Sequence, residues 1–159
     1  MLSDEVLDGL MNLHDAFLNA SLVQDRMWKE PLEKDPHLFP ISDRARFERL
    51  WVGLLAVLVE SWHSPNMRQT HEYVKQVTDT TQLTDLLRKS RKNGHYDKMV
   101  ECRHYMFHRD KRKYWDDGRK APFGGLRFHR SLHVAFSRVL LAAVRKASAE
   151  RQAGNKKNT

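Results

Sequence analysis

The residues best equipped for chemistry lie together in Cys102-Arg103-His104-Tyr105-Met106-Phe107-His108-Arg109-Asp110. An imidazole titrates near neutrality, so His108 can take a proton from a nucleophile or give one to a leaving oxygen. His104 can act as a second acid/base group or orient the first. Arg103, always charged and fork-shaped, suits phosphate oxygens on which negative charge builds during the reaction. Together these types can move protons and hold an anion such as a phosphate.

The spacing constrains how they can meet. Arg103 and His108 are five apart, about 140° around a helix, which is not one face. Either the helix ends before His108 or a second copy of the chain completes the site. A purely structural reading pairs Arg103 with a carboxylate such as Glu60 or Glu101 and leaves His108 as a helix-end cation. A metal reading uses His104 with His108 and His129 with His133, each pair four apart on one helix face. Against it, neither helix carries the Glu-x-x-His spacing of di-iron bundles, and His129 and His133 alternate with Arg127 and Arg130 on what reads as a mixed, surface or partly buried face. The single cysteine, Cys102, can form no internal disulfide and reads as a buried, inert thiol.

The elements that must position these groups are helices. Ser3 is an N-cap, with Asp4 and Glu5 in the first turn, and Val6, Leu7, Leu10, Met11, His14, Phe17 and Leu18 recur at helical spacing. This helix can continue through Leu22, Val23 and Met27, and Pro31, Pro36 and Pro40 then make 31–41 a loop. A second helix follows Ser42 and reaches about Trp62; from Trp51 to Val59 it is apolar nearly all round, so it belongs at the centre of a bundle or in an interface. Ser64-Pro65-Asn66 ends it. A short helix spans Met67 to Val77, another is capped by Thr78 or Thr80 and stopped by Asn93-Gly94, and a fourth main helix runs from about His95 to His108. Residues 109–125 read as an ordered loop, and the last helix runs from about Leu126 to Ala149. No segment alternates as a strand would. Residues 1–150 are expected to form one all-α antiparallel bundle of about four to six helices, with 151–159 a frayed basic tail.

Composition agrees with a folded body: 159 residues, 40% hydrophobic and 30% charged, suit one domain. No run of apolar residues is long enough to span a membrane and the acidic opening is unlike a secretory signal, so a soluble, cytoplasmic protein is expected. The net charge of +8 is divided. Residues 1–64 hold six Lys/Arg against eleven Asp/Glu, net −5, whereas 88–130 hold fourteen against five, net +9. A basic region of this kind attracts a polyanion by counterion release. Within it Arg109, Lys111, Arg112 and Lys113 can contact RNA phosphates, with Tyr114 or Trp115 offered as stacking platforms; alternatively both rings fold back on the bundle. No Rossmann, Walker or Cys-x-x-Cys pattern competes.

Arg103 and His108, with four residues between them and the polar His104 directly after the arginine, resemble the Arg-x(4–6)-His motif of the HEPN (higher eukaryotes and prokaryotes nucleotide-binding) superfamily. The place of the motif, at the end of a helix with one long helix after it, is similar too. The resemblance covers the helix from about 95 to 108 well, the last helix in outline and the first half only as a generic bundle. It implies an HEPN-like fold and metal-independent RNA cleavage, in which the ribose 2′-hydroxyl attacks the adjacent phosphorus and leaves a 2′,3′-cyclic phosphate. It also implies a homodimer with the two motifs facing across a two-fold axis, and a toxin, defence or stress role with an antitoxin or other partner protein. The alternative is a non-catalytic helical dimer that binds nucleic acid or a protein through the same basic surface.

Overall fold

The second helix, α2 (Asp43–Trp62), is the element around which the others must arrange, because from Trp51 to Val59 it has no polar side to give to water. Trp51, Val52, Leu55, Ala56, Leu58, Val59 and Trp62 are all buried. Each large apolar side chain among them contributes about 1.5–3 kcal/mol by leaving water. In the computed structural model, which describes residues 2–29, 43–107 and 126–155, α2 packs against α1 (Asp4–Lys29) and α5 (His95–Phe107). A short 3₁₀ turn, Pro65–Met67, leads into α3 (Arg68–Val77), and α4 (Thr81–Lys92) precedes α5. The last helix, α6 (Leu126–Asn155), packs on α1, α3 and α4. The described residues form an all-α bundle of six helices without strands.

Local signals set the helix ends. The Ser3 hydroxyl accepts from the Val6 amide at 3.4 Å, as an N-cap should, and α1 does continue past Met27, to Lys29. At the end of α2 the His63 ring lies with Nδ1 2.8 Å from the Val59 carbonyl. Pro65 then starts the 3₁₀ turn at a position where no amide proton is needed. Of the two expected caps of α4, Thr80 stands at the N-cap, but its side chain makes no capping hydrogen bond; Asp79 Oδ1 accepts from the Thr81 amide at 2.9 Å. Gly94 makes the stop before α5, with φ +68°, a left-handed conformation that only glycine adopts without strain. At the C-terminus the helix runs to Asn155 rather than Ala149, since nothing in Glu150-Arg151-Gln152-Ala153 breaks it. The proline-rich 31–41 segment and the 109–125 loop lie outside the described residues.

Side chains from α1, α2, α3, α4, α5 and α6 all enter one buried cluster, with Leu13, Leu55, Leu83, Met99, Leu132 and Phe136 among its largest members. α1 and α3 come into close contact at Gly9, where an added Cβ would collide with the buried Thr70 Oγ1 and sit 3.1 Å from Thr70 Cβ. Alanine favours a helix over glycine by about 1 kcal/mol, but forcing a methyl into a closed contact costs about 1–3 kcal/mol. Gly9→Ala is therefore expected to lower the denaturant midpoint by the equivalent of about 1–2 kcal/mol, and to be close to neutral in a Thr70→Ala background. Equal destabilisation in both backgrounds would show that the α1–α3 contact is not what excludes the methyl.

Candidate functional site

Arg103 sits in the last turns of α5, and the packing of α5 on α2 decides its surroundings. Met99 and Cys102 turn into the core. That places Arg103 at the rim, where its Nη1 forms an ion pair with Glu60 Oε2 of α2. Both side chains are partly exposed, at 28% and 31%, so solvent still reaches the pair. The ion pair is the one that the structural reading of the sequence anticipated, and of its two candidates Glu60 is the partner.

The other arm of the guanidinium meets the next residue. Arg103 Nη2 lies 2.8 Å from His104 Nε2. A guanidinium has no acceptor and keeps its protons, so Nε2 must be the acceptor, which makes this His104 the neutral tautomer protonated on Nδ1. His104 is exposed, whereas Arg103 is half-buried. The arrangement is a fixed cation beside an unprotonated imidazole nitrogen at the edge of the bundle. A phosphate arriving there would compete with His104 for Nη2 while Glu60 holds the other arm.

Of the other residues singled out, His108, Arg109, Lys111, Arg112, Lys113, Tyr114 and Trp115 lie outside the described residues. Cys102 is buried and burial pushes its thiol up to about 12, so it stays protonated and inert, as expected. The basic side chains of α4 remain on the surface: Arg88, Lys89, Arg91 and Lys92 are exposed, and Arg91 also stands 5.7 Å from the Tyr96 ring centroid on α5.

The histidines of α6 are placed differently from the sequence reading. His129 and His133 are buried, not on a mixed surface, because they share a face with Leu132, Phe136 and Leu140 while Arg127 and Arg130 point outward. His133 joins three helices. The Trp51 indole donates to its Nδ1 at 3.2 Å, so Nε2 carries the proton and donates to the Ser21 hydroxyl at 2.9 Å, which in turn donates to the Phe17 carbonyl at 2.9 Å. The Phe17 ring completes the enclosure edge-on, 5.0 Å away. Both nitrogens of His133 are thus engaged within the protein. His129 packs edge-on to Phe128 and to His95, each at 5.8 Å, and His95 stacks on Phe128 at 4.2 Å. Among the described residues no three His, Cys, Asp or Glu side chains gather as metal ligands. Sequence reasoning missed the Trp51–His133–Ser21 chain; its signal was an indole N–H in an otherwise apolar helix, which needs an acceptor when buried.

No family model matches this chain, and no curated protein or solved structure matches it either. No described helix is long and apolar enough to cross a membrane.

Burial lowers both α6 histidines to about 4, with the His95 and Lys98 charges adding to the effect at His129. In the unfolded chain a histidine titrates near 6.5. The unfolded state therefore binds more protons between pH 6.5 and 4. Stability is fully present above about 6.5 and falls with acid at up to about 1.4 kcal/mol per pH unit for each histidine. His71 and His95, also lowered by burial, act in the same direction. Urea titrations at pH 7 and 5 are expected to show this loss, and His133→Asn, whose amide can still accept from Trp51, should remove one histidine's share of the slope. An unchanged slope in that variant would mean that His133 is not buried in its neutral form.

Proposed function

We propose that this protein is a metal-independent endoribonuclease of the HEPN type, acting in the cytoplasm on RNA through Arg103, His104 and His108. The observation that carries the reading is the contact between Arg103 Nη2 and His104 Nε2 at the rim of the bundle, with Glu60 bracing the guanidinium from α2. It supplies a preorganised cation and an adjacent neutral imidazole, the two elements that phosphoryl transfer needs where charge builds on a phosphate.

In this mechanism the scissile phosphate takes the place of His104 on Arg103, and two bonds exchange at phosphorus. The ribose 2′-oxygen forms a new P–O bond as its proton passes to an imidazole, and the bond to the 5′-oxygen breaks as that oxygen receives a proton from a second acid. The products are a 2′,3′-cyclic phosphate and a 5′-hydroxyl. His108 is assigned one of these proton transfers, and His104 serves as its counterpart or orients it. Glu60 is a positioning residue. The Arg109, Lys111, Arg112, Lys113 and Tyr114 run is assigned to RNA binding, and exposed α4 cations add to the attraction of the polyanion. A homodimer and, for a toxin, defence or stress role, a neutralising partner protein belong to the same reading.

The Arg103–Glu60 ion pair also favours a second reading, since an arginine so paired can be purely structural in a helical module that binds nucleic acid or protein. Labelled RNA incubated with the protein in excess EDTA separates the two. The ribonuclease is expected to leave cyclic phosphate ends, His108→Ala to lose about 10²–10⁴-fold in rate, and Arg103→Ala to lose about 10²–10³-fold, with both variants folded by circular dichroism. Glu60→Gln is expected to retain the fold and lose about tenfold, mostly in kcat, since the guanidinium is less firmly aimed. No cleavage, or equal cleavage by all folded variants, would leave the binding module.

A further inference from the structure

Three tryptophans fall among the described residues, and the fold places one of them differently from the others. Trp51 and Trp62 are buried, at 2% and 7%, whereas Trp28, in the last turn of α1, is 54% exposed. Arg130 of α6 stands over its ring, 5.8 Å from the centroid. A guanidinium at that distance is attracted by the ring face and steadies an indole that lies largely in water.

The register of three helices makes the surroundings of Trp28 basic. Ser21 meets His133 and Trp28 meets Arg130, so α1 and α6 run antiparallel and the end of α1 lies beside the start of α6. On the other flank Arg138 donates to Gln82 of α4 at 3.2 Å, and His95, soon after α4, stacks on Phe128 at 4.2 Å. α4 is therefore also antiparallel to α6, and its end lies beside the same first turns. Lys89 follows Gln82 by seven residues on the same face of α4, which sets it level with Ser131, seven before Arg138. Arg127 is eleven residues, about three turns, before Arg138 and shares its exposed side. Trp28, Arg130, Arg127 and Lys89 thus follow one another across three helices, over about 20 Å at the usual interaxial spacing.

Among the described residues, carboxylates do not offset this band. α6 has none between Leu126 and Ala149. On α1 Asp25 is held by Lys29 at 3.1 Å, and on α4 Asp85 by Arg88 at 2.9 Å. The exposed carboxylates of α5, Asp97 and Glu101, stand about 200° around that helix from His95 and Met99, away from α6.

From this we infer that the band from Trp28 to Lys89 binds a single-stranded stretch of RNA, one unpaired base stacking on the Trp28 indole and neighbouring phosphates lying on Arg130, Arg127 and Lys89. Cations alone would take any polyanion, a duplex included. The indole adds a choice, because only a base that has left its own stack can lie on it. The inference rests on RNA being the partner under the reading above and names the class of RNA; it does not rest on cleavage.

Fluorescence anisotropy of an end-labelled RNA strand of about ten nucleotides, methylated at every 2′-hydroxyl so that it binds without being cut, tests this. The wild type is expected to bind the single strand at least about tenfold tighter than the same strand annealed to its complement. Trp28→Ala, at an exposed position and shown folded by circular dichroism, is expected to weaken single-strand binding about five- to hundredfold and leave duplex binding unchanged. Trp28→Phe, which keeps a ring face, is expected to retain most of the affinity. Arg127→Gln and Lys89→Gln are each expected to weaken both and to lower the salt slope by about one. No binding of the single strand, equal affinity for strand and duplex, or full affinity in Trp28→Ala would overturn the inference. The expected binding pattern in a protein that leaves unmethylated RNA uncut would sustain it and sink the ribonuclease alone.

Discussion

A stretch of helix that is apolar on every side, as α2 is from Trp51 to Val59, cannot rest on a surface, and its burial is the constraint from which the rest of this structure follows. Its Trp51 side is closed by α1 and α6, and its opposite side by α5. Because α2 ends in Glu60-Ser61-Trp62, closing that second side brings one carboxylate to the edge of the core just where α5 presents Arg103. The candidate site is thus a by-product of core packing in its position and a matter of residue choice in its chemistry. Substituting the core residues of α2 would displace Arg103 without touching it.

Among the buried polar side chains of the described residues, Ser90 bonds back to the Leu87 carbonyl of its own helix, whereas His133 fixes one helix against another. The chain from Trp51 through His133 and Ser21 to the Phe17 carbonyl ties α2, α6 and α1 together with each donor and acceptor assigned. A buried network of this kind adds little net energy and penalises alternatives, since any slip of α6 leaves an indole N–H or an imidazole nitrogen without its partner. It also fixes which face of α6 turns inward, and so which turns outward. The arginines at 127, 130, 138 and 145 remain on the surface because His129, Leu132, His133, Phe136 and Leu140 occupy the core.

Much of this architecture was legible in the residue pattern. The all-round hydrophobicity of α2 announced its central place, and Ser3, Pro65 and Gly94 marked their helix boundaries through chemistry that acts within a few residues. What depends on contacts between distant segments was harder to read. Arg127 and Arg130 made the start of α6 look mixed, yet 129, 132, 133, 136 and 140 follow the spacing of one inward face, a signal that the polar identity of histidine obscured. For Arg103 both Glu60 and Glu101 were open, although Glu101, two positions away on the same helix, points elsewhere; the choice of Glu60 needed the packing of α5 on α2. Thr80 does take the N-cap of α4, but it is the Asp79 carboxylate, not the Thr80 hydroxyl, that accepts from the Thr81 amide.

The proposed ribonuclease site requires Arg103 and His104 at the end of α5 to bind one phosphate together. Its most direct measurement is nuclear magnetic resonance of the full chain labelled at arginine and histidine, titrated with an RNA whose 2′-hydroxyls are methylated so that it binds without being cut. The Arg103 side-chain and His104 ring resonances are expected to shift together and saturate at one concentration, with His133 unmoved in its buried network. Saturable binding that shifts only the α4 arginines and leaves Arg103 and His104 where they were would contradict it.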